Sequence, residues 1–250
     1  MTIKIIHAKP FEGIDTINFS KYEKENPLLN HPLPRDIFTD GKWEDYNPVI
    51  HDIAHWEVIL GNHISSIVTN FTYSMYYFYK GIPDDEWIII PEDGGSVEYF
   101  PHFEDEHYRN LMNFCHFIDV FFLKVFSTFE AIGHLLYKYF QLELNEHDWR
   151  DQISFRSAIY KLEEGNYPLY KDLRKIIKSP KFTRGVKIRN QITHSQPPYS
   201  FSSGVSIING EALYSIPEYT CSKDIKNAMI NILQSLRNTL EILERHIKRR

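Results

Sequence analysis

Two cysteines, Cys115 and Cys221, are all that 250 residues contain. That is too few for a disulfide scaffold or a cysteine-based zinc site, and both are expected as reduced thiols. No Gly-rich phosphate loop and no nucleophile elbow occurs, which disfavours P-loop enzymes, kinases and α/β-hydrolases. Long hydrophobic runs are missing as well. The most apolar stretch, Phe114 to Phe129, is broken by Asp119 and Lys124, and Met1 to His7 lacks the apolar segment of a signal peptide. A soluble, cytoplasmic chain with no membrane partner is therefore expected. An excess of positive charge is also absent: the formal net charge of −5 argues against a general nucleic-acid coat protein and leaves room only for a local basic site.

What the chain does have is core material and segregated charge. Hydrophobic residues make up 42% and aromatics 15%, ample for a packed interior. From Asp84 to Glu106 there are nine acids and no Lys or Arg, whereas Lys171 to Arg189 carries eight bases against the single acid Asp172. Two readings follow: solvated faces of opposite sign that pair across the fold or a dimer, or a phosphate track beside Arg189.

Residues 1–45 are rich in turn signals, among them Asn26-Pro27, His31-Pro32-Leu33-Pro34 and Asp40-Gly41, and read as an irregular arm over the body. Residues 46–250 read as one helical domain. After Pro48, apolar residues recur at helical spacing through Phe78 to a stop at Gly81 and Pro83, with a bend expected at Gly61. A core helix is predicted over 104–143, with a stripe through Ile118, Phe122, Val125, Phe129, Ile132 and Leu136. Shorter helices follow at 155–162, 169–177 and 182–194, and a last amphipathic helix begins after Ser222. Two hairpins interrupt the pattern: 87–90 with 97–100, and 205–208 with 212–216 around Asn209-Gly210. The fold class is all-α, an antiparallel helical bundle with two inserted β-hairpins.

One motif carries chemistry. Arg189-Asn190-Gln191-Ile192-Thr193-His194 closes the basic segment just before Pro197-Pro198. Arg-Asn-x-x-x-His at a helix end, followed by a loop and a last long helix, resembles the HEPN superfamily (higher eukaryotes and prokaryotes nucleotide-binding). The specific part of the likeness covers six residues, and the looser part covers a HEPN-like core of about 104–250. The resemblance implies an all-α homodimer acting as a metal-independent endoribonuclease in defence, antiviral or toxin–antitoxin settings, with an antitoxin or other partner protein as a further expectation. It places Arg189 and His194 at the two principal catalytic positions and Asn190 at the polar position after the arginine. It implies no cofactor.

Those residue types suit RNA cleavage. A ribose 2′-hydroxyl needs a base, and an imidazole with an ordinary pKa near 6.5 is poised for that role at neutral pH. As the hydroxyl attacks phosphorus, a guanidinium donates paired hydrogen bonds to the charge growing on the non-bridging oxygens. The products are a 2′,3′-cyclic phosphate and a 5′-hydroxyl. Positions five apart on a helix differ by about 140°, so Arg189 and His194 do not stack, whereas Asn190 and His194 share a face and Asn190 can orient the imidazole. The resemblance implies that two protomers bring their motifs together, so that the working cleft is composite. Lys181, Arg184 and Lys187 are candidates for holding flanking phosphates, and Glu130 for a supporting role that orients Arg189 or His194.

Rival readings rest on other residues. The motif can instead close a helix C-terminus, leaving a noncatalytic HEPN-like module that binds a nucleotide, RNA or a partner protein. His51 and His55 sit four apart as in zinc-binding helices, yet Asp52 stands where a glutamate base belongs. Glu104-x-x-His107 is half of a di-iron signature without a second copy, and it reads as a solvated helix start. The aromatic series Phe71 to Tyr79 reads as core plus interface rather than a base-stacking surface.

Overall fold

The computed structural model describes residues 14, 17–31, 37–39, 47–92, 96–145, 151–201, 204–208, 211–215 and 218–247. Short α1 (Phe19–Tyr22) leads to α2 (Pro48–Lys80), the hairpin β1 (Ile88–Ile89) and β2 (Glu98–Tyr99), and α3 (Asp105–Tyr139). Then come α4 (Phe155–Gly165), α5 (Tyr167–Ile177), α6 (Pro180–His194), the hairpin β3 (Val205–Ile208) and β4 (Glu211–Tyr214), and α7 (Ser222–Ile247). The chain is all-α, with each pair of strands forming its own two-stranded antiparallel sheet.

Local chemistry sets the helix starts. Asn47 accepts a hydrogen bond from Val49 N at 2.9 Å just before Pro48. Ser179 accepts one from Phe182 N at 3.3 Å just before Pro180. In both cases a side-chain oxygen satisfies an orphan amide, and proline supplies a first turn that needs no donor. Glu104 and His107 form the reciprocal cap of α3, His107 Nδ1 accepting from Glu104 N at 3.1 Å. That Glu-x-x-His is thus a helix start.

α2 and α3 pack along their whole lengths in opposite directions, because partners that climb one helix descend the other. Asp52 pairs with Lys138, and Trp56 stacks on His134 at 3.9 Å. Further along, Phe71 meets Phe121, Phe78 meets Phe114, and Asn110 donates to Gly81 O at 3.1 Å. Phe71, Tyr76 and Tyr77 are buried and Tyr73 stacks on Phe117, so this aromatic run is mostly core. α6 covers α3 through Phe182 on Phe126 and Phe129, and α7 closes the bundle with Ile232 against Gly185.

α3 stops at Tyr139, four residues before its expected end, and Gln141 turns out with φ +52°. The first hairpin is likewise shorter than expected, and just past β2 Phe100 turns at φ +52° while its N–H still donates to Trp87 O at 2.8 Å. Its Asp93-Gly94-Gly95 turn, the Asn209-Gly210 turn and most of residues 1–45 lie outside the described residues. Of the arm, Leu28, Ile37 and Phe38 are buried in the core. Phe38 N and Thr39 Oγ1 each reach the Glu57 carboxylate at 2.8 Å. The arm is therefore fastened to α2.

α2 runs unbroken through Gly61, where an added Cβ would meet nothing within 4 Å. Gly61→Ala is accordingly expected to raise stability by about 0.5–1 kcal/mol, the helix-propensity difference with no packing penalty. Denaturant unfolding checks this.

Candidate functional site

α6 carries the motif, and its buried side is set by Phe182, Gly185 and Ile188. At 100° per residue, His194 falls on the side opposite that stripe, while Arg189 falls within it, between Phe182 and Gly185. The structure agrees: His194 is exposed at the last position of the helix, and Arg189 is half-buried with its guanidinium carbon 5.2 Å from the centre of the Phe126 ring on α3. Its Nε is buried and has no hydrogen-bond partner among the described residues. Within one chain the two side chains therefore do not converge. Asn190 is exposed beside His194, and neither side chain hydrogen-bonds another group among the described residues.

Glu130, on α3, accepts from Phe155 N at the start of α4 at 3.0 Å. Its carboxyl group retains solvent access, yet the protein packed around it removes enough hydration to raise its pKa. The Phe155 amide and the positive charge of Arg189 oppose that shift. Glu130 thus senses Arg189 electrostatically and anchors α4 directly. No bond links it to His194.

Lys181, Arg184 and Lys187 are exposed, and none forms an ion pair among the described residues. The described residues of the acidic run do not neutralise them. Several have other partners: Glu86 bonds His102 at 2.9 Å, Glu106 lies 3.6 Å from Arg109, and Asp84 is buried against Tyr219 and Ser222. Of the other bases in this run, Lys175 pairs with Asp172 at 2.9 Å and Arg174 lies over Tyr170. Among the described residues the basic segment of α6 therefore keeps its charge open to solvent.

A cavity of about 580 Å³ opens beside this face of α6. Arg184, Lys187 and Gln191 line one side, the 195–198 turn lines another, and Trp87 with Tyr219 forms an aromatic wall next to the carboxylate-bearing Glu218. Asp84 holds that wall in place. It accepts from Tyr219 Oη, from Ser222 N and from Ser222 Oγ, each at 2.7 Å, so one buried carboxylate caps α7 and ties it to the first hairpin. Burial, followed by the Asp84 charge and hydrogen bond, drives the Tyr219 pKa far up and keeps its hydroxyl a donor. Asp84→Asn replaces one of the two acceptor oxygens by a donor and is expected to cost about 1–2 kcal/mol. Thermal unfolding would show it. From sequence the hairpin reads as a decoration and Asp84 as one of nine acids; the only available signal was an aromatic residue next to an otherwise polar turn.

His51 and His55 remain on α2, where the intervening Asp52 is paired with Lys138. Among the described residues no three His, Cys, Asp or Glu side chains cluster as metal ligands would. No described helix is long and apolar enough to cross a membrane.

The chain is thus an all-α bundle whose penultimate helix ends with His194 exposed and carries a basic face that no acid pairs among the described residues. The chain belongs to the Cthe2314-like HEPN family, whose model matches residues 56–248 and so takes in most of α2 as well as everything through α7. No curated protein and no solved structure matches the chain.

Proposed function

We propose that this protein is a metal-independent endoribonuclease that works as a homodimer, with His194 as general acid/base and Arg189 stabilising the phosphorane. One observation carries the reading: His194 is exposed at the open end of α6, on the side that carries Arg184 and Lys187, which no acid pairs among the described residues, while Arg189 of the same helix holds its guanidinium over Phe126. An exposed imidazole can approach a 2′-hydroxyl, and a guanidinium steadied against Phe126 presents its remaining donors in a fixed plane. Because the two lie on different sides of α6, the working pair joins Arg189 of one chain to His194 of another. Asn190 stands within a turn of His194 and orients it once the second chain covers both. Lys181, Arg184 and Lys187 hold phosphates on the flanking strand. Glu130 is a positioning residue for Arg189. A cellular role in defence or in a toxin–antitoxin pair, with a neutralising protein partner, fits such an activity.

The same separation of Arg189 and His194 favours a second reading, a noncatalytic module that binds RNA or a protein. The two part on product chemistry. A labelled RNA oligonucleotide incubated with the protein in EDTA is expected to yield ends with 2′,3′-cyclic phosphate and 5′-hydroxyl. A 2′-deoxy substitution at the cleaved nucleotide should block the cut. Equal cleavage by wild type, Arg189→Ala and His194→Ala would assign the activity to a contaminant and leave the binding module.

A further inference from the structure

The cavity beside α6 is built for more than phosphate. Trp87 is half-buried, with its ring 5.3 Å from Tyr219 and 5.5 Å from Phe201. The aromatic wall is therefore fixed before any ligand arrives. Opposite it, Arg184 and Lys187 form no ion pair, and the Gln191 side-chain amide makes no hydrogen bond among the described residues. An aromatic surface, two cations and one amide donor–acceptor pair unpaired among the described residues, with Glu218 engaged elsewhere at the rim, surround about 580 Å³ and match the three parts of a nucleotide: base face, phosphate and base edge.

We infer that this cavity takes one unstacked nucleotide of a single-stranded RNA, with its base against Trp87, its phosphate on Arg184 and Lys187, and its base edge read by Gln191. The assignment deepens the nuclease reading and rests on it for the identity of the strand. Lys187 lies two helical turns before His194, or about 10 Å along the axis, so a strand held here runs past the imidazole. A base inside a duplex cannot enter, because it is stacked and paired. The pocket therefore selects single strands, and its shape sets which base is preferred beside the cut.

The test uses the full chain carrying His194→Ala, so that RNA survives the measurement. Fluorescence-anisotropy titrations compare single-stranded RNA, the same sequence as a duplex, and a mononucleotide. Trp87→Ala is expected to weaken single-strand binding about 5- to 100-fold and to leave duplex binding unchanged, while Trp87→Phe restores most of the affinity. Arg184→Ala and Lys187→Ala should each reduce the salt slope of log Kd by about one unit. Quenching of tryptophan emission by RNA should be present with Trp87 and lost in Trp87→Phe, a readout that a merely structural role would not move. Mononucleotide competition as strong as that of the strand would make the occupant a free nucleotide instead, contrary to the assignment. Equal binding of single strand and duplex, with no Trp87-dependent quenching, overturns it. Should Trp87→Ala unfold, the quenching and Gln191→Ala titrations decide alone. A protein that binds through Trp87 but never cuts RNA keeps the pocket and loses the nuclease; one that cuts RNA without Trp87-dependent binding does the reverse.

Discussion

Replacing His194 by alanine is expected to slow RNA cleavage about 10²- to 10⁴-fold, the range for loss of a general acid/base. The fold should be untouched, because His194 is exposed at the end of α6 and bonded to nothing among the described residues, and such surface changes stay within about 0.5 kcal/mol. Arg189→Lys is the sharper companion. It keeps the charge but removes the planar fork that lies on Phe126 and that, in the proposed reaction, pairs with two phosphoryl oxygens. Its rate should fall close to that of Arg189→Ala rather than wild type. Single-turnover cleavage of an end-labelled oligonucleotide, read beside thermal unfolding of each variant, measures both. Wild-type rates in either variant would remove the motif from the chemistry.

Gly133→Ala should have the largest effect on stability. A Cβ at this position of α3 would stand 2.5 Å from Phe155 N, 2.6 Å from Ser154 C and 2.9 Å from Phe155 Cα. These are backbone atoms at the capped start of α4, so no side chain can swing aside. Alanine gains about 1 kcal/mol in helix propensity, but separating two packed elements costs more, and a net loss of about 2–3 kcal/mol is expected. In a chain of 250 residues that corresponds to a melting temperature about 4–12 °C lower. The same shift would pull Phe155 N from Glu130, whose charge lies near Arg189. Cleavage should decline with stability. Gly61→Ala, on the open side of α2, is the control that moves the other way.

These two glycines show where sequence stops being informative. Both sit in helical patterns, and only the α3–α4 approach distinguishes them. The helices themselves were legible, because the stripe from Ile118 to Leu136 has one period and Ser179-Pro180 or Asn47-Pro48 marks a start by local chemistry alone. The early stop of α3 at Tyr139 was not, since Leu142 keeps the apolar spacing while Gln141 adopts positive φ. At the site, the 140° between Arg189 and His194 follows from helix geometry. The contact of Arg189 with Phe126, the anchoring of Phe155 by Glu130 and the Trp87 wall join residues far apart in the chain. No local pattern encodes such contacts.

The most direct measurement mixes two inactive proteins. Arg189→Ala and His194→Ala chains are unfolded together and refolded; under the proposed dimer they are expected to form mixed dimers in which one Arg189 faces one His194 across the twofold axis. If the reacting pair is shared between chains, cleavage should return to about a quarter of the wild-type rate, because half the dimers are mixed and each holds one intact site of two. If no activity returns although mixed dimers have formed, the guanidinium and imidazole do not meet across subunits, and the shared site is contradicted.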